Sequence, residues 1–165
     1  MKESAAFLAR FSLWACLSFA VWEAVGSRYV DLVAPATNAL SSLSGVPVHL
    51  DRQGEMVLHA VSPPGGRSFR VQAQAHSSIY LNLVVAVSLF GATIGRRPGW
   101  PWAWAGAALV LLWASHVVSF YLSGQIAAWH VAGADPRIAD LVQQLSPFVP
   151  KDRAELLLRI LEQWN

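Results

Sequence analysis

Cysteine occurs once in 165 residues, and charge is scarce. A single cysteine, Cys16, forms no intrachain disulfide and leaves no Cys/His spacing of a zinc site. It falls midway along an apolar run, where a low dielectric disfavours the thiolate and makes it a poor nucleophile. Charged residues make up 13% of the chain, against 55% hydrophobic ones. A soluble domain is about a quarter charged. Too few charges remain here to cover a water-facing surface, and the mean hydropathy of +0.40 agrees. The net charge is only +2 and no basic block occurs, so no nucleic-acid partner is expected. No internal repeat and no low-complexity segment is evident, and the length suits one domain.

Tryptophan and long apolar runs are abundant instead. Eight tryptophans are many for this length, and several flank apolar segments. Trp100, Trp102 and Trp104 fit the headgroup zone, where an indole is half wet. The chain is therefore expected to be a mainly α membrane protein with three transmembrane helices, and lipid is its first partner. Ala5 to Val25, Ser77 to Gly95 and Trp102 to Leu122 each approach the roughly 20 apolar residues that a span needs. Lys2 and Arg10 precede the first run in the manner of a signal peptide, but no small-x-small cleavage site follows, so it is expected to be retained. Residues 30–45 are expected to form an amphipathic helix, with Val33, Ala36, Leu40 and Leu43 on one stripe and Gly45 as its stop. Pro35 would open that helix or kink it away from the first span.

Residues 46–75 change character. "VPVHLDRQG", "EMVLHAV" and "RSFRVQAQA" predict three short strands. In the last, Phe69, Val71, Ala73 and Ala75 alternate with Arg70, Gln72 and Gln74. "SPPGG" is a strong turn signal. An open sheet edge cannot face lipid, so this segment belongs outside the bilayer. The loop "GRRPGWP" carries Arg96 and Arg97, and short arginine-bearing loops stay in the cytoplasm. The expected topology is that of a multi-pass bacterial inner-membrane protein. Its amino terminus is cytoplasmic, and residues 27–76 and the carboxy terminus are extracytoplasmic. Residues 1–133 make the membrane domain, and residues 134–165 an amphipathic helical tail. In the tail, Asp135 and Pro136 start one helix with an Ile138, Leu141, Val142, Leu145 stripe. "SPFVPKD" interrupts it. Leu157, Ile160, Leu161 and Trp164 then form an apolar stripe opposed by Arg153, Glu155, Arg159 and Glu162, suited to docking on a partner or the membrane surface.

With this topology His76 stands at the outer mouth of the second span. His116 lies 14 residues beyond Trp102, about 21 Å along the third, and so reaches a similar depth. Ser77, Ser78, Tyr80 and Ser115 sit close by in sequence. An ionisable residue within a span is a functional candidate, although an interhelical hydrogen bond accounts equally for His116. Ser77 or Ser78 with a histidine base would make a nucleophile, but adjacency in sequence fixes no geometry. Even with His130 the histidines lack a metal-ligand spacing, and no metal or cofactor is expected. His49 and His59 fall in strand-like segments and are expected to face solvent.

The order of these parts resembles the exosortase/archaeosortase superfamily of membrane transpeptidases over about residues 30–131. "ATNALSSLSGVPV" is similar to the family's small-residue helix end. "QAHSSIYLNLVVAVSLF" resembles its cysteine segment, and "ASHVVSFYLSG" its arginine segment. At the cysteine position this chain has His76, or Ser77 with a one-residue slip. At the arginine position it has His116, and His130 is the match to the family histidine. The transpeptidase chemistry needs an activated thiolate, so the resemblance implies the scaffold without the reaction. The chain looks most like the small membrane proteins that accompany type H exosortases, from which its amphipathic tail departs. The resemblance implies an accessory protein that binds an exosortase or a sorted substrate, with His76, Ser77, Ser78, Tyr80, His116 and His130 as a degenerate binding site. A serine hydrolase or transpeptidase, and a structural subunit of an envelope complex, are the other functions to be weighed.

Overall fold

The computed structural model describes residues 2–53, 56–62, 68–73, 78–93, 102–133, 139–140, 143 and 149–164. The chain is mainly helical with one small sheet. Helix α1 spans Lys2–Leu43, strands β1 (Val48–Gln53), β2 (Met56–Val61) and β3 (Phe69–Gln72) follow, and then helices α2 (Ser78–Thr93), α3 (Trp102–Ala132) and α4 (Lys151–Trp164). Residues 139, 140 and 143 are helical as well. The expected tail stripe from Ile138 to Leu145 otherwise lies outside the described residues, as does the "SPPGG" turn from residue 63 on.

The first expectation to be corrected concerns α1. It is one helix of 42 residues, about 63 Å long, rather than a span followed by a separate amphipathic helix. Pro35 neither opens nor ends it. The ring removes only the hydrogen bond to the Asp31 carbonyl, and packing on both sides of the break keeps the helix continuous. The buried stripe is Val30, Val33, Thr37 and Ser41, so Leu43, 86% exposed, lies off the predicted face. Gly45 does stop the helix. It takes φ 71°, its amide donates to the Ser42 carbonyl (3.2 Å), and the Val46 amide donates to the Ser41 carbonyl (2.9 Å). Only glycine adopts that φ without strain.

Among the described residues two helices, not the three expected, are long and apolar enough to cross a membrane: Glu3–Ala24 and Trp104–Ala132. Helix α2 has 16 residues, about 24 Å, against a hydrocarbon layer of about 30 Å. Helix α3 runs ten residues past the predicted end at Leu122, because Ala127, Ala128 and Val131 are covered by protein. Hydropathy alone does not separate a lipid-facing turn from a protein-covered one.

The three strands form an antiparallel sheet in the order β1-β2-β3, with His59 opposite Leu50 on one side and Val71 on the other. The alternation predicted for β3 holds, with Phe69 and Val71 half-buried and Arg70 and Gln72 exposed. One face of the sheet lies on the upper halves of α1 and α3. Val30, Val33, Leu50, Val57, Val117 and Phe120 make one apolar cluster, and Val46, Val48, Val61, Ala128 and Val131 make a second. Asn38 of α1 secures β1. Its Nδ2 donates to the Leu50 carbonyl (3.1 Å) and its Oδ1 accepts from the Leu50 amide (2.7 Å), replacing a neighbouring strand at that edge.

Candidate functional site at the sheet end of the helices

Below the sheet, α1 and α3 meet through polar groups. His116 is fully buried. Its Nδ1 lies 2.6 Å from the Tyr29 hydroxyl, and the two rings cross edge to face at 5.6 Å and 85°. Trp22, two turns before Tyr29, extends the chain of rings with an edge contact at 5.6 Å. One proton lies between phenol and imidazole. Whichever of them donates, Nε2 of His116 is left buried with no hydrogen-bond partner among the described residues. An unpaired buried polar atom costs about 1–3 kcal/mol. His116 is thus an interhelical hydrogen-bond residue with one nitrogen in reserve. Its partner Tyr29 lies 87 residues away, and no local sequence signal pairs the two.

Of the other expected site residues, only His130 has a described side chain. His76 and Ser77 lie outside the described residues. Ser78 and Tyr80 occupy the first turn of α2, and only their backbone is described. His130 is exposed, its Nδ1 2.8 Å from the Ile126 carbonyl oxygen, and it stands 14 residues, about 21 Å, beyond His116 on α3. Among the described residues no group of three His, Cys, Asp or Glu side chains is placed to hold a metal ion. Cys16 is exposed on the outside of α1.

A second buried histidine corrects an expectation. His49 is exposed as predicted, but His59 is 1% exposed. Strand alternation sets His59 between Val57 and Val61 on the face that meets α3, and that pattern was legible in "EMVLHAV". Its Nε2 lies 3.2 Å from the Ser123 hydroxyl. The close approach of β2 to α3 depends on Gly124, where an added Cβ would stand 3.0 Å from Val48 Cγ1 and 3.2 Å from His59 Nδ1. Burial lowers the His59 pKa from 6.5 to about 4. An imidazole so depressed is a weak general base. The recess beside the pair, reached by Gln72, His130 and Leu158, holds only about 70 Å3. The His59–Ser123 contact has the chemistry of a satisfied buried polar pair.

Helix α4 packs on α3 through the fully buried Ala154, with Leu158 and Leu161 half-buried. Leu156, Leu157 and Ile160 remain exposed, and the side chain of Trp164 lies outside what is described. No protein-family model, no curated protein and no solved structure matches this chain.

Proposed function

We propose that this chain is a non-catalytic accessory protein of a bacterial inner membrane, part of an exosortase-type sorting system. It acts by binding a partner, either the sorting enzyme or a sorted protein's carboxy-terminal segment. α1 and α3 cross the bilayer, and α2 runs beside the first half of α1. In support, α2 begins soon after Ala73, whose amide still pairs with the Val57 carbonyl. It ends with Gly91 against Trp14, far down α1. The amino terminus and the Arg96/Arg97 loop are cytoplasmic, and the sheet and α4 stand on the far side.

The observation that carries the reading is the state of His116. A serine or cysteine mechanism requires the base to hold the nucleophile's proton. Here Nδ1 is paired with a phenol, and Nε2 has no partner among the described residues. What remains at the outer mouth is a rigid platform of sheet and helix ends. Beside it lies an apolar α4 edge of Leu157 and Ile160, where a partner helix docks.

Photo-crosslinkers placed at Leu157 and at Ile160, in cells that carry a cysteine-bearing exosortase and its substrate, test this. A crosslink to either protein is the expected result. Labelling of lipid alone from both positions rejects the docking proposal.

A further inference from the structure

The sheet has two edges, and they differ. The ladder bonds fix which main-chain groups each edge presents. The Ser62 amide donates to the Pro47 carbonyl, and the Ala73 amide to the Val57 carbonyl (2.9 Å each). Hydrogen-bonded pairs alternate along antiparallel strands. With the observed register, Phe69, Val71 and Ala73 therefore bond to β2, while the amides and carbonyls of Arg70 and Gln72 point away from it. On the other edge the same alternation turns Leu50 outward, and Asn38 takes both of its main-chain groups. β3 has no such cover. Among the described residues nothing pairs with the outward amides of Arg70 and Gln72, and both side chains are exposed.

A row of open amides and carbonyls at strand spacing is completed by an extended backbone, not by a helix, whose own main-chain groups are already bonded. A recess adjoins this edge. Val71 and Gln72 line it together with Ser123 and Ala127 of α3 and Leu158 of α4, and it holds about 70 Å3. That is less than half of the roughly 150 Å3 that accommodates a benzene ring, so it suits a small side chain. On an added strand the residue beside Val71 points to this same inner face. The residue beside Arg70 points to the outer face, where Ala60 is the cross-strand neighbour of Arg70. Arg70 has no ion-pair partner among the described residues, so a carboxylate is favoured there. The same charge discourages indiscriminate pairing with a short open edge.

A second copy of the chain is the wrong occupant. Leu50 and Val57 pack beside Val117 and Phe120, and Val48 and Val61 beside Ala128 and Val131, so the strands run along α3. Antiparallel joining of two β3 strands would set α3 of one copy against the direction of the other. Copies inserted alike in one membrane do not allow that. We propose that β3 receives an extended segment of the protein partner as a fourth strand, with an acidic residue beside Arg70 and a small residue next to it in the recess. This rests on the reading that the chain binds a partner, and adds where the partner sits and which groups hold it.

A photo-crosslinker at Gln72 of the full chain, in cells that carry a cysteine-bearing exosortase and its substrate, tests it. An adduct with one of those two proteins, mapped to a segment with an acidic residue next to a small one, is the expected result. Arg70→Ala keeps the amide and is expected to reduce the adduct by only a few-fold. Arg70→Pro removes the outward amide and spares the ladder to β2. It is expected to lower the adduct about tenfold further, with residues 48–73 as resistant to protease as in the wild-type protein. Equal adduct from the two variants overturns the added strand, as does an adduct between two copies of this chain. Adducts from Leu157 or Ile160 but none from Gln72 leave the partner role standing and overturn this inference, whether or not the proline variant folds. Adducts from none of the three positions overturn both.

Discussion

His59 makes stability depend on pH in a calculable way. Its pKa falls from 6.5 to about 4 on folding because burial disfavours the charged imidazole. Each pH unit between those values is worth about 1.4 kcal/mol, so the full effect is about 3 kcal/mol. The sign follows from proton uptake. Between pH 6.5 and about 4 the unfolded chain binds a proton at this site and the folded chain does not, so stability falls as pH falls. The contribution is fully present above pH 6.5 and lost by about pH 4. His59→Gln keeps a polar partner for Ser123 and removes the titration. Chemical unfolding of both proteins in detergent at a series of pH values supplies the assay, and carboxylates that titrate in the same range cancel in the difference. The difference is expected to shift against the wild-type protein by about 3 kcal/mol between pH 7.5 and 4. Parallel curves over that interval refute the assignment of a buried, neutral imidazole.

Other substitutions report on other parts of the unit. Gly124→Val drives a side chain into Val48 and His59; overpacking of this kind costs about 1–3 kcal/mol and is expected to expose residues 48–73 to protease while α1 stays intact. Asn38→Ala removes both bonds to Leu50 and is expected to lower stability by about 1–3 kcal/mol, with faster amide exchange at Leu50. Tyr29→Phe deprives His116 of the one hydrogen-bond partner it has among the described residues and is expected to cost about 1–3 kcal/mol, whereas His116→Leu, which removes both polar atoms, is expected to cost less than Tyr29→Phe does. Thermal unfolding in detergent ranks the pair, and the reverse order contradicts the unpaired state of Nε2.

Short-range chemistry made much of this visible in advance. Gly45 ends α1 because a glycine can take a left-handed φ there, and that is written in one residue. The strands at Val48–Gln53, Met56–Val61 and Phe69–Gln72 follow from alternation and turn residues. Helix α4 follows from a 3.6-residue repeat. Tertiary choices were not visible. Pro35 reads as a boundary, yet the helix continues, because contacts from the sheet and from α3 outweigh one missing hydrogen bond. The apolar turns after Leu122 look the same whether lipid or a sheet covers them. Tyr29 and His116 are 87 residues apart, and nothing local pairs them. For His59 the alternation was present, but histidine's polarity argued for water, and the hydroxyl that satisfies it comes from α3.

The proposal that the chain binds a partner and does not cleave bonds is tested most directly by processing of a sorted substrate in cells that depend on this chain. Ser77→Ala, Ser78→Ala and Ser123→Ala are introduced singly and together, with membrane abundance of each protein monitored. Processing at the wild-type rate in all of them is the predicted result. Loss of processing from one serine replacement, in a protein that accumulates normally in the membrane, contradicts it and makes the chain an enzyme.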